Sequence, residues 1–170
     1  MAEREQQRTK EAEAQQAPFY EFLYAMWNGR GEQAMTGQVV YKGKDLPWEQ
    51  GRQARVKWYF HPMRKEAAVG NWLFFAQDIK THSGRHRHQG GLAIYVLEGK
   101  GWTTVNGERH DWEEGDLILL PTMPHGVEHQ HFNAEPGKPC KWLAIIYDPF
   151  AQAMSSELDQ RETHPDWTHA

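Results

Sequence analysis

The sequence predicts an all-β barrel with a helical extension at its N-terminus, and three features carry that expectation. From residue 54 to residue 147 the chain is a succession of short apolar or alternating runs. They recur about every ten residues, the spacing of a sandwich or barrel built from short strands. Between them stand Gly, Pro and Asn-Gly, the residue types that tight turns require.

Each element follows from local pattern. Residues 3–16 are almost wholly Glu, Gln, Arg, Lys and Ala, good helix formers without an apolar stripe, and read as a solvated or frayed helix. Pro18 opens an amphipathic stretch, Phe19, Phe22, Leu23, Met26 and Trp27, expected to stop at Gly29 and Gly31 and to pack on the barrel or on a second subunit. Residues 37–50 are polar and turn-rich. Ala54 to His61 alternates, with Val56, Trp58 and Phe60 on one face, and Asn71 to Ile79 is a short apolar run. After a break at Thr81–Gly84 comes an extended stretch ending at Glu98-Gly99, and Trp102–Val105 is expected to pair back on it. Asn106-Gly107 is the strongest hairpin dipeptide, joining Trp102–Val105 to Glu108–Trp112. Gly115-Asp116 is a further turn, followed by Leu117–Leu120. Val127–Phe132 and Lys141–Tyr147 are the last two strands, and residues 151–170 read as a helical turn and a loose tail. The organisation is thus an N-terminal helical extension over 1–36, a barrel over 37–150 and a C-terminal tail over 151–170.

Bulk properties exclude several functions. The 170 residues suffice for one domain with a buried core. A net charge of −4 provides no basic field for nucleic acid, and no apolar run approaches the roughly 18 residues of a membrane span. A single cysteine, Cys140, excludes an internal disulfide and fits a cytoplasmic setting; without a histidine beside it, it reads as inert. Eight tryptophans suit a barrel wall or an aromatic pocket, and ten histidines suit a metal.

The histidines are patterned. In an extended strand side chains alternate, so His86 and His88 share one face while Arg85 and Arg87 take the other. By the same parity Leu92, Ile94 and Val96 share the inner face. A second cluster, His125, His129 and His131, lies downstream. Trp58, Phe60, Trp72, Phe74 and Phe75 read as core, and Asp116 as a turn residue.

These stretches resemble the cupin superfamily. Its first motif, Gly-x5-His-x-His-x3-4-Glu-x6-Gly, is matched by His86-x-His88 and by Tyr95-Val96-Leu97-Glu98-Gly99. Its second, Gly-x5-Pro-x-Gly-x2-His-x3-Asn, is opened by Gly115 and matched by Pro124-His125-Gly126-Val127-Glu128-His129 through Asn133. The resemblance covers about residues 70–147 and implies a double-stranded β-helix, or jelly-roll barrel. It departs from the pattern in two ways. Leu92 stands where the glutamate ligand should fall, and Glu98 corresponds to a solvent-facing glutamate at the turn. Gly115 reaches Pro121 rather than Pro124 at the family's spacing, so one alignment makes His129 the third ligand and the other His125. Gly126 and Asn133 favour His129; His131 shares its parity and is a pocket or alternate ligand.

The resemblance therefore implies a metal held by His86, His88 and His129, with Fe(II) expected and Zn, Mn, Ni or Cu as alternatives, and Leu92, Ile94 and Val96 as the substrate-pocket wall. The missing glutamate, the His-Arg-His wording and the Leu-Glu-Gly-Lys-Gly turn are similar to the gentisate-type dioxygenases. That implies O2-dependent cleavage of a hydroxylated aromatic or related enolisable substrate, with a small-molecule substrate and O2 as partners, in aromatic compound catabolism. Members of that group are usually two-cupin chains, and this sequence shows one. A homodimer or higher homo-oligomer is expected, with no nucleic acid or membrane partner. The alternatives are another metal-dependent cupin enzyme (isomerase, lyase or decarboxylase) and a non-catalytic small-molecule-binding cupin.

Overall fold

The computed structural model describes residues 19–168, so the helix expected over 3–16 and the start at Pro18 lie outside the described residues. The chain divides into two compact units, one running to Val39 and including Lys65–Gly70, the other comprising Val40–Arg64 and Asn71 onward.

In the first unit, helix α1 (Phe19–Thr36) runs through Gly29 and Gly31 instead of stopping there. An isolated helical glycine costs only about 1 kcal/mol relative to alanine, and the good formers Glu32 to Met35 that follow carry the helix on. The backbone N–H of Gly37 donates to Gln33 O at 2.8 Å at its end, and Gln38 then bridges Ala67.

The second unit is a barrel of two antiparallel sheets. Its strands are β1 (Glu49–Gln50), β2 (Arg55–Phe60), β3 (Trp72–Asp78), β4 (Arg85–His88), β5 (Leu92–Glu98), β6 (Lys100–Val105), β7 (Glu108–Glu113), β8 (Leu117–Leu120), β9 (Val127–Asn133), β10 (Lys141–Tyr147) and β11 (Asp159–Glu162). One sheet has the order β1-β2-β3-β10-β5-β8, the other β11-β4-β9-β6-β7. Ile79, Ile94, Val96, Leu120, Val127 and Trp142 fill the core.

Two expectations for this second unit are corrected. Strand β6 does not pair back on β5. Both edges of β5 are already taken, by β10 and β8, so the chain turns at Gly99 into the other sheet and β6 lies between β7 and β9. The β6–β7 hairpin itself forms as expected, with Asn106 and Gly107 both at positive φ, 49° and 90°, as a two-residue turn of this kind requires. The C-terminal region is not a loose tail. After α2 (Asp148–Ala153) it returns as β11 and pairs with β4, Asp159 opposite Arg87 and Gln160 opposite His86. This covers a row of backbone groups that β4 would otherwise leave as an open edge.

Candidate metal centre

The site is a consequence of strand register. Strands β4 and β9 are neighbours, and His86 stands directly opposite His129. His88, two residues on, lies on the same face. Ring centroids are 4.2 Å apart for His86 and His129, 4.8 Å for His88 and His129, and 5.2 Å for His86 and His88. One nitrogen from each of these three residues lies within 4.8 Å of the other two, and no carboxylate belongs to this group among the described residues.

Backbone carbonyls orient the rings. Nδ1–H of His88 donates to Gln89 O at 2.6 Å, that of His129 to Val127 O at 3.3 Å, and that of His86 more weakly to Gly84 O at 3.4 Å. A carbonyl oxygen only accepts, so Nδ1 carries the hydrogen in each ring and Nε2 keeps its lone pair. Burial is the main force holding the rings neutral. It lowers His86 to about 4, with the neighbouring His88 adding to the effect. His88 is lowered by burial, and His129 well below the ordinary value by burial and then by the surrounding imidazoles. Three neutral imidazoles offering Nε2 suit a divalent first-row transition ion and are poor ligands for Mg or Ca. Carbonyl-anchored rings are the usual second layer of such a site.

His131 is anchored by a hydroxyl instead of a carbonyl. Trp112 Nε1–H donates to Thr103 Oγ1 at 2.9 Å, and Thr103 Oγ1 lies 2.8 Å from His131 Nδ1. Thr103 is fully buried, and donation of its hydroxyl hydrogen to His131 Nδ1 would satisfy both groups. Burial is the main cause that lowers His131 to about 3, so the ring is neutral, and that donation would leave its hydrogen on Nε2.

The remaining expected residues fall as follows. His125 is exposed in the turn before β9, at φ 69°, apart from the three converging rings. Glu98 pairs with Lys141 at 2.6 Å, and Asp116 accepts the backbone N–H of Glu113 in its turn. Arg85 and Arg87 face away and meet Glu128 at 3.3 and 3.9 Å. Burial pushes the Cys140 thiol up to about 12, with Asp78 adding to it.

A cavity of about 340 Å³ opens on the histidines. Leu92 and Ile94 line it, whereas Val96 is completely buried and does not. Trp58 and Phe75, read from sequence as core, are cavity wall, joined by Trp142. Phe60 is core, and Trp72 stacks on Phe74 at 5.6 Å. Sequence reading also missed the segment after β10, whose Phe150, Ser156 and Leu158 line the cavity. A larger hollow of about 690 Å³, lined by Glu108, His110, Asp111 and Leu117 among others, contains none of the converging histidines. The smaller one holds the converging histidines.

Comparison with known proteins agrees with the barrel fold. The family model of the cupin domain matches residues 76–146. A gentisate 1,2-dioxygenase of a Ralstonia species is 36% identical over 72 residues, covering 42% of this chain but only 19% of that protein. A solved structure of salicylate 1,2-dioxygenase from Pseudoaminobacter salicylatoxidans, in complex with gentisate, superposes with a TM-score of 0.53 at 24% identity, over 75% of this chain and 36% of that one. The polyketide cyclase RemF from Streptomyces resistomycificus superposes with a TM-score of 0.54 at 15% identity, over 76% of this chain and 89% of that one. The two superpositions speak for the fold alone. The chain matches the cupin-domain model over residues 76–146 and is similar over part of its length to gentisate 1,2-dioxygenases.

Proposed function

We propose that this chain is a non-haem iron(II) dioxygenase that uses O2 to cleave a hydroxylated aromatic or related enolisable small molecule. The observation that supports it best is the convergence of His86, His88 and His129 as neutral imidazoles with no carboxylate among them, beside a cavity with aromatic walls. An iron(II) held by those three residues would supply the redox chemistry that lets O2 react with an organic substrate.

The chain's own residues do the rest. The carbonyls of Gly84, Gln89 and Val127 hold the three rings in one tautomer, so their lone pairs are set before any ion arrives. Leu92, Ile94 and Trp142 keep water from the reacting end of the cavity. His131 offers an Nε2–H to an oxygen of the substrate, and Thr103 keeps that hydrogen in place.

The test is elemental analysis of protein purified without added metal, then an oxygen-electrode screen of hydroxylated aromatic acids and phenols. Stoichiometric iron and O2 uptake, both lost in His86→Ala, support the reading. Turnover without O2 would move the chain to an isomerase, lyase or decarboxylase. Ligand binding indifferent to metal removal would make it a non-catalytic binding module.

A further inference from the structure

We propose that the segment from Asp148 to Leu158 sets the substrate range, and that it selects a chelating ligand whose body is apolar and uncharged; this rests on the metal-site reading above. The segment leaves β10 in one sheet and reaches β11 in the other, where β11 pairs with β4, the strand that carries His86 and His88. Between those two fixed points it passes along the cavity.

Its placement is anchored at two positions beside the histidines. The backbone N–H of Gln89 donates to Ser156 Oγ at 3.0 Å. The Phe150 ring sits over Gly91, at φ 80°, where a Cβ would run into the ring. Phe150 and Leu158 are large apolar side chains left 41% and 59% exposed beside the cavity. The other wall is aromatic: Trp58 lies 4.8 Å from Phe75, and Phe75 lies 6.2 Å from Trp142. A ligand body seated there is covered by apolar surface on both walls and in turn covers Phe150 and Leu158.

Charge gives the second half of the selection. Among the described residues no lysine or arginine lines the cavity, and the carboxylate that does, Asp148, is bonded to Gln152 Nε2. A carboxylate on the body of the ligand would lose its water without gaining a cation, and would face a like charge. Negative charge is compensated at the chelating end, by the ion. The fitting class is a neutral diol or enol chelator bearing an alkyl or aryl group.

The test uses three ligands with one chelating head: catechol, 4-butylcatechol and 3,4-dihydroxybenzoate. Each is titrated calorimetrically, without oxygen, into the iron(II)-loaded chain, with iron measured in the same sample. The butyl compound should bind roughly tenfold tighter than catechol and the acid roughly tenfold weaker. Phe150→Ala and Leu158→Ala should erase most of the butyl preference, and Leu158→Arg should turn preference toward the acid. If a sample with stoichiometric iron binds the acid as tightly as catechol, or gains nothing from the butyl group, the selection is overturned and the metal site stands. If the chain takes up no iron and binds none of the three, both fall. Should a variant fail to fold, the three titrations on the unaltered chain decide the matter alone.

Discussion

His86 lies directly opposite His129 across the β4–β9 ladder, with their ring centroids 4.2 Å apart. Cross-strand neighbours are rigidly spaced, so two of the three candidate ligands are positioned by backbone hydrogen bonds rather than by loops. Replacing either by alanine should abolish stoichiometric metal while leaving the barrel folded. A thermal scan checks this: added Fe(II) or Zn(II) should raise the melting temperature of the unaltered chain and leave that of His86→Ala and His129→Ala unmoved.

The metal-free chain should weaken in mild acid. The folded-state values of His86, about 4, and His131, about 3, lie below the ordinary value of 6.5, and His129 is depressed as well. The unfolded chain therefore binds protons first as pH falls. Stability is full above about pH 6.5, declines as pH drops toward 4, and declines further toward 3. Denaturant midpoints of the metal-free protein at pH 7.5, 6, 5 and 4 should fall in that order. A flat profile would mean the rings are not buried as a neutral set.

Thr103 should control the tautomer of His131. Thr103→Val leaves Trp112 Nε1–H and His131 Nδ1 without their partner, each loss costing about 1–3 kcal/mol, whereas Thr103→Ser keeps the hydroxyl. Nitrogen-15 shifts of His131 in the metal-free protein should report hydrogen on Nε2 in the parent and in Thr103→Ser, and a mixture in Thr103→Val.

Glu98 should be irrelevant to the metal. Its carboxylate is held by Lys141 at 2.6 Å in a partly exposed pair, the kind of contact that contributes about 1 kcal/mol or less. Glu98→Gln should retain full metal content by elemental analysis.

Much of the barrel was legible because its signals are local. Period-two alternation placed His86 and His88 on one face, and Asn106-Gly107 marked a hairpin that the fold contains. What escaped depends on non-local pairing. No rule on neighbouring residues says that β5 has both edges occupied, so the partner of β6 was misread. Strand β11, Asp-Gln-Arg-Glu, has no apolar alternation because as an edge strand it needs none. The position of His129 opposite His86 is set by a register between strands some forty residues apart in the chain, which no local pattern specifies. Trp58 and Phe75 carry no mark that separates a cavity wall from a packed interior.

The strand bearing the His-x-His pair takes its outer neighbour from roughly seventy residues further along the chain. A protease cut anywhere between Met154 and Leu158 would thus release β11 and strip one flank from β4, while the core formed by β3, β10, β5 and β8 kept every one of its own ladders. Limited digestion would disable the histidine strand first and spare the opposite sheet.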